Sequence, residues 1–325
     1  MLDALKKNNK IIVNTDIDGV LSAYVLCRYC GCEIVGFSNS AECIWWRDDK
    51  IASVYDAVYV DMYVPRKEVV TIDQHIIAYD EKDLNKIKTY GTKFNPNLDN
   101  PRTFIPNESY YLKYPFGTIH YILSVLGRTN IDVSFDHMKE VVNLQGCGLK
   151  VIDFILRADD AMTTSLCSDY KKNAREWWWW LKEYSHMSNN IVSLTNYLNT
   201  CPKDSKSVNK IKTLIGFYFK QVFSCDSPDG GFKSIVDTNG FLRSNVKKYL
   251  KFFFKLLGGD GFVTQFEELL NTRLKVSAGT AIRIQMNSGF AKELYDWGTI
   301  SSEEVFSYAY VRSSNKFDNF SYTVL

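Results

Sequence analysis

One short segment near the amino terminus limits the folds open to this chain. Residues 11–23 read Ile-Ile-Val-Asn-Thr-Asp-Ile-Asp-Gly-Val-Leu-Ser-Ala. The apolar start is typical of a buried strand, Gly19 lets the backbone turn, and a helical pattern follows. Carboxylates at the carboxyl end of a parallel strand lie in the crevice where open α/β sheets bind ligands. Because Asp16 and Asp18 repel each other at this spacing, the segment predicts a site for a hard divalent cation, with an acidic turn or a surface cap as the alternative.

The first third of the chain alternates strand and helix patterns, which predicts an α/β fold with a parallel, Rossmann-like sheet and right-handed crossovers. Asp61 and Asp73 end two further strand patterns. We therefore expect three carboxylate-bearing strand ends to converge on one edge of the sheet. The predicted strands are 11–16, 33–38, 57–62 and 68–73, with a helix over 20–30.

The pattern changes beyond residue 165, and 325 residues are enough for more than one domain. We predict a metal-binding domain over 1–165, a helical connector over 166–257 and a small mixed α/β region over 258–325. Four consecutive tryptophans, Trp177–Trp180, cover every side of a helical turn, so at least some must pack against another domain or a protein partner.

Composition excludes several classes of protein. A hydrophobic content of 46% and a charged content of 23% indicate an ordinary globular chain rather than a disordered one. No apolar stretch is long enough for a membrane span, and the amino terminus has no signal-peptide core. The eight cysteines do not form a disulfide pattern, so we expect reduced thiols and a cytoplasmic protein. The net charge of +2 does not by itself indicate a nucleic-acid partner.

The acidic residues occur in a characteristic order. Asp16 and Asp18 are followed by Asp61, then by Asp73-Gln74-His75, and last by Asp159-Asp160. This order resembles the DHH phosphoesterase superfamily, which includes RecJ-type exonucleases, oligoribonucleases and exopolyphosphatases. Residues 14–23 look like the first motif, Val60-Asp61 the second, and Ile72–His75 the third, where the family reads Asp-His-His. The resemblance covers about residues 10–165.

The resemblance implies a binuclear Mn²⁺ or Mg²⁺ site. Asp16 and Asp18 would be ligands, Asp61 would bridge the ions, and Asp159 or Asp160 would complete the site. A pair of ions at such a site activates water and stabilises the attacking and leaving oxygens of a phosphodiester.

The resemblance also assigns the third motif. His75 would contact the scissile phosphate, with Asp73 beside it in the catalytic set, and Gln74 occupies the position of a ligating histidine. Glutamine offers only a neutral carbonyl oxygen, and Asn14 stands where several members have His or Asp. One bound ion, a preference for Mg²⁺ or lost catalysis would each follow from these changes.

The substrate expected from the resemblance is single-stranded nucleic acid, a short oligonucleotide or a nucleotide. Arg102, Arg157 and Arg312 are the candidate phosphate contacts. A lysine stripe on a predicted helix over 243–257 either contacts a nucleic-acid backbone or is solvated, and its interleaved aromatic residues are expected to be buried. The family's Gly-Gly-His motif has no histidine counterpart in Gly258–Phe262.

Two other classes fit the same residues. In a haloacid-dehalogenase-like phosphatase, Asp16 would be the nucleophile and Asp18 the general acid. That class has no use for Asp61 or for the Asp73–His75 pair. A catalytically degenerate protein that binds a nucleotide or a partner is the third interpretation, and Gln74 motivates it.

Overall fold

The computed structural model describes residues 1–39, 42–78, 80–102, 112–134, 141–142, 149–157, 171–202, 204–287, 305–312 and 317–324. Within these ranges the chain divides into two compact units. The sheet unit consists of 1–14, 33–114 and 275–325, and the helical unit consists of 15–32 and 115–274. Both units are discontinuous in sequence, whereas the predicted domains over 1–165, 166–257 and 258–325 are contiguous; that division stays a prediction.

The first half of the chain alternates short strands and helices. Its elements are α1 (Leu2–Lys7), β1 (Lys10–Asn14), α2 (Ile17–Cys30), β2 (Glu33–Ser38), β3 (Cys43–Trp46), a 3₁₀ turn (Val54–Asp56), β4 (Val58–Val60), β5 (Thr71–Ile72), α3 (Glu81–Thr89), β6 (Lys93–Phe94) and α4 (Pro96–Asp99).

The remaining described chain is mostly helical, with strands towards its end. Its elements are α5 (Thr118–Arg128), β7 (Val141–Val142), β8 (Leu149–Lys150), α6 (Val151–Arg157), α7 (Lys171–Tyr184), α8 (Asn189–Thr200), α9 (Ser205–Phe223), α10 (Ser244–Thr264), α11 (Glu267–Asn271), β9 (Lys275–Ala278), β10 (Thr280–Asn287), β11 (Val305–Arg312) and β12 (Phe317–Val324).

The sheet unit contains a seven-stranded mixed sheet in the order β6-β5-β4-β1-β2-β3-β9. The five strands from β6 to β2 are parallel, whereas β3 and β9 run antiparallel to their neighbours. The predicted α/β fold with a largely parallel sheet is confirmed at this level. A separate three-stranded antiparallel sheet, β10-β12-β11, follows in the same unit.

Apolar side chains on the central strands explain why the sheet forms. Ile12, Val35 and Tyr59 are fully buried in one cluster that also contains Phe306 from β11. Gly36 on β2 permits a close approach of β3, because a Cβ there would lie 2.6 Å from the carbonyl oxygen of Trp45. The antiparallel edge formed by β3 and β9 is an arrangement that the sequence patterns did not predict.

The strands that carry polar residues are shorter than their patterns predict. β1 ends at Asn14 because Asp16 already caps α2, and its side chain accepts a hydrogen bond from the Gly19 amide. β4 ends at Val60 because Asp61 has a left-handed backbone with φ 61°. Left-handed residues end a strand, and aspartate tolerates this conformation better than most residues.

The helical unit is held partly by buried polar contacts. The side-chain amide of Asn190 on α8 donates to the carbonyls of Leu123 at 3.0 Å and Ile131 at 2.9 Å, and its oxygen accepts from Val133 N. The helix predicted over 243–257 corresponds to the first part of α10. Helix α10 continues to Thr264 past a kink at Gly259, where φ is 73°. Among the described residues, no helix has the length and apolar character needed to cross a membrane.

Candidate functional site

Polar side chains gather at the carboxyl ends of neighbouring parallel strands in the sheet unit. We call this set the strand-end cluster, and all of its members except His75 are buried. Each member follows or ends a parallel strand, which is the position where open α/β sheets bind ligands. The members are Asn14 from β1, Asp61 after β4, Asp73 and His75 after β5, and Asn95 after β6.

Asp61 lies at the centre of this cluster. Its amide donates to the carbonyl of Ile72 at 2.8 Å, which extends the β4–β5 pairing to the start of the polar region. Its carboxylate accepts a hydrogen bond of 3.1 Å from Asn14 Nδ2. The other oxygen, Oδ1, lies 3.8 Å from His75 Nε2. The left-handed backbone of Asp61 therefore directs a buried carboxylate at both an amide and an imidazole.

Asp73 is completely buried and is held by several contacts. Its Oδ1 accepts from His75 N at 2.8 Å and from Asn95 Nδ2 at 3.1 Å. Thr71 is close enough to lower the Asp73 pKa, but Asp73 Oδ2 has no partner in hydrogen-bonding geometry among the described residues. Burial raises the pKa of Asp73 above its ordinary value, and His75, Lys93 and the hydrogen bonds oppose that rise.

Lys93 on β6 is a half-buried lysine near Asp73. Its Nζ donates to the carbonyls of Arg66 and Val69, at 2.9 and 2.5 Å, and lies over the ring of Tyr63. Burial lowers the pKa of Lys93 to about 7, although the charge of Asp73 raises it in part. Burial therefore shifts the pKa of both Asp73 and Lys93, and the charge of each group partly opposes the shift of the other.

Gln74 lies between the two catalytic candidates and is buried. Its backbone carbonyl accepts from Asn97 Nδ2 at 3.1 Å, and Asn97 Oδ1 accepts from the Tyr114 amide at 2.7 Å. Asn97 on α4 therefore holds the backbone of the third motif in place. The role of Gln74 as a metal ligand stays a prediction.

The first motif continues into the helical unit, where both acids act as helix caps. Asp16 caps its own helix, α2, through the 3.0 Å hydrogen bond from Gly19 N. Asp18 caps a different helix, because its oxygens accept from the amides of Thr118 at 2.7 Å and Ile119 at 2.9 Å at the start of α5. Both residues therefore act as caps, although Asp18 is buried and is not the surface cap that the sequence offered as an alternative. Their role as cation ligands stays a prediction.

The structure does not describe the side chains of four predicted site residues. Asp159 and Asp160 lie outside the described residues. Arg157 ends α6 and Arg312 ends β11, and only their backbone belongs to the described part. Arg102, by contrast, is described and is half-buried after α4.

Several other sequence interpretations are resolved in the helical unit. In α7, Trp177 and Trp178 are buried, and Trp178 Nε1 donates to Thr195 Oγ1, whereas Trp179 is 52% exposed. The lysines of α10 contact groups of the same unit: Lys251 pairs with Glu267 at 2.8 Å, and Lys255 with Asp260 at 3.0 Å. The aromatic residues interleaved with them are mainly buried, as predicted.

Sequence reasoning missed the supporting residues of the cluster. The sequence analysis assigns no role to Asn95 or Asn97. Asn95-Pro96 is nevertheless a typical start of a helix, and Asn95 caps α4. Around Asp16, the turn at 226–232 and Tyr249 come from more than 200 residues further along the chain, and no local pattern indicates that contact. Within the described ranges, no three His, Cys, Asp or Glu side chains are placed to hold a metal ion.

Comparisons with protein-family models, with curated proteins and with solved structures found no match to this chain.

Proposed function

We propose that this protein is a metal-dependent phosphoesterase of the DHH type that hydrolyses phosphodiester bonds in single-stranded nucleic acid or short oligonucleotides. The observation that supports this proposal best is the grouping of Asn14, Asp61, Asp73 and His75 at the carboxyl ends of parallel strands. Asp61, Asp73 and His75 follow one another in the order of the second and third motifs, and each of the four residues ends or follows a parallel strand.

The donor chemistry of the cluster fits a hard divalent cation. Carboxylate and carboxamide oxygens are the ligands that Mg²⁺ and Mn²⁺ prefer. Asp61 would be the principal ligand in the sheet unit, with Asp73 Oδ2 as a buried oxygen that lacks a hydrogen-bond partner among the described residues. Asp16, Asp18, Gln74 and one of Asp159 and Asp160 stay predicted ligands. The cation would supply Lewis-acid polarisation of the scissile phosphate.

The chain's own residues would orient and polarise the substrate. His75 is the one partly exposed member of the strand-end cluster, and its Nε2 faces Asp61. An imidazole held beside a carboxylate can donate a hydrogen bond to a phosphate oxygen. The side chain of Arg102 would bind a neighbouring phosphate.

A catalytically degenerate nucleotide-binding protein is the second candidate, and one contact favours it. Asn14 donates its amide hydrogen to Asp61, whereas an imidazole or carboxylate at that position would offer a metal ligand. Asn14 and Gln74 together place neutral carboxamides at two positions where a DHH-type site would have stronger metal ligands.

A substrate panel tests the proposal. Labelled single-stranded DNA, RNA, dinucleotides and polyphosphate would be incubated with the protein and Mn²⁺, then Mg²⁺. We expect cleavage of a nucleic-acid substrate that is lost in Asp61→Asn and retained in Asp48→Asn, a matched change at an exposed carboxylate. Stoichiometric nucleotide binding without turnover in any metal would reject the enzyme and favour the second candidate.

A further inference from the structure

The segment that follows α9 forms a turn that closes on itself. Asp226 N donates to the carbonyl of Gly231 at 3.1 Å, and Gly230 N donates to that of Ser227 at 3.2 Å. Gly230 and Gly231 both have positive φ, 87° and 81°, which other residues adopt only with strain. The turn is therefore a built feature with a fixed backbone shape.

This turn is bonded to the residues on both sides of Asp16. The carbonyl of Asp229 accepts from Ile17 N at 3.0 Å, and Phe232 N donates to Thr15 Oγ1 at 3.4 Å. Asp16 itself forms an isolated antiparallel bridge with Gly230. The backbone of the first acidic residue is thus held by a distant part of the helical unit.

Tyr249 on α10 lies beneath the turn. Its ring packs edge-to-face against Phe232, Phe223 and Phe253, with centroids 5.0 to 5.4 Å away. Its hydroxyl is buried and has no hydrogen-bond partner among the described residues. A Cβ at position 230 would lie 2.6 Å from that hydroxyl. Burial, with the charges of Cys225 and Asp16, raises the pKa of Tyr249 well above its ordinary value.

An unpaired hydroxyl in this position is costly. A buried polar group without a hydrogen-bond partner destabilises the folded state. Phenylalanine would make the same ring contacts without that cost, so packing alone does not account for a tyrosine. The hydroxyl lies next to Gly230, the residue of the turn that bridges to Asp16.

We propose that Tyr249 is a positioning residue for Asp16: its hydroxyl supplies the hydrogen bond that orients this carboxylate when it takes up a divalent cation. This inference rests on the proposed function, because it assumes that Asp16 is a cation ligand. Groups that orient metal ligands typically change metal affinity 10- to 100-fold when they are removed.

The test compares Tyr249→Phe with the full-length wild-type protein in a calorimetric Mn²⁺ titration, alongside thermal unfolding in chelator. Tyr218→Phe is the control, because Tyr218 packs against Phe223 in the same aromatic cluster. We expect Tyr249→Phe to bind Mn²⁺ at least about tenfold more weakly. Its unfolding temperature should stay equal or rise, and the control should bind as wild type does.

Each other outcome is decisive. Equal Mn²⁺ affinity in Tyr249→Phe overturns the inference and leaves the proposed function intact. A lower unfolding temperature of Tyr249→Phe would mean that the hydroxyl has a partner within the fold, which also overturns it. A wild-type protein that binds no Mn²⁺ rejects the proposed function, and the inference falls with it.

Discussion

Asn14 Nδ2 donates a hydrogen bond of 3.1 Å to Asp61 Oδ2, and this contact joins the ends of two adjacent parallel strands, β1 and β4. Both side chains are buried, so the bond is protected from water. It fixes the Asp61 carboxylate while His75 lies near its other oxygen. Asn14 thus places a neutral amide where several members of the DHH superfamily, which the motifs resemble, have His or Asp. In the proposed site, the Asp61 carboxylate therefore contributes more of the cation binding.

Replacing Gln74 by histidine should strengthen Mn²⁺ binding. Imidazole is a stronger ligand for Mn²⁺ than a carboxamide oxygen, and Gln74 occupies the corresponding position in the third motif. We expect at least a severalfold lower dissociation constant by calorimetry. Gln285→His, on strand β10 of the other sheet of the same unit, is the control. Unchanged or weaker Mn²⁺ binding in Gln74→His would show that Gln74 is not at a ligand position.

The two acids of the first motif should respond differently to amidation when no cation is present. Asp18→Asn removes a charged acceptor shared by two amides of α5, so we expect the free energy of unfolding to fall by about 1–2 kcal/mol. Asp16→Asn keeps a good helix cap and should cost only a few tenths of a kcal/mol. Urea unfolding in chelator measures both. Equal losses would contradict the capping geometry of Asp18.

His120 should make the protein less stable in acid. Its ring is buried against Phe116 and Trp178, and burial lowers its pKa to about 4. Between pH 4 and 6.5 the unfolded chain binds more protons than the folded one, so stability rises with pH in that window. The total effect is about 3 kcal/mol.

The pH dependence of His120→Asn provides the check. Unfolding free energies at several pH values from 4 to 6.5 should show a smaller slope in this variant than in wild type. His186→Asn, a change at an exposed histidine, should keep the wild-type slope. Parallel curves for wild type and His120→Asn would contradict a neutral, buried His120.

The close approach of Gly230 to Tyr249 should appear as an energetic coupling. Gly230→Ala adds a methyl group 2.6 Å from the Tyr249 hydroxyl on a backbone with positive φ, so we expect a loss of more than about 1 kcal/mol in stability. Gly259→Ala has a similar φ in open space and should cost less. Combining Gly230→Ala with Tyr249→Phe should restore part of the loss. Strict additivity in that double-mutant cycle would refute the contact.

The sequence was sufficient where a signal is local. Apolar runs ending in acids predicted β1, β4 and β5, and their parallel pairing then follows from the alternation with helices. The helix cap at Asp16 was likewise an open alternative from the start. The predicted ends of β1 and β4 were wrong by two residues. The helix cap at Asp16 and the left-handed backbone at Asp61 end these strands, and a hydrophobic pattern does not resolve features of one or two residues.

Non-local contacts were beyond such patterns. The antiparallel pairing of β3 with β9 joins residues more than 200 positions apart, and β9 itself is only four residues long. The same separation hides the turn at Gly230 that bridges to Asp16. Nothing in either segment alone specifies its partner, because these pairings depend on how the whole chain packs.

In the proposed function, Asp61 binds a divalent cation used in phosphodiester hydrolysis. The most direct test is a Mn²⁺ titration of wild type and Asp61→Asn by calorimetry, since asparagine tolerates the left-handed backbone at this position and leaves the fold intact. We expect saturable binding by the wild type and a loss of at least about tenfold in affinity in the variant. Equal affinity in the two proteins, or no binding by either, would contradict this role of Asp61.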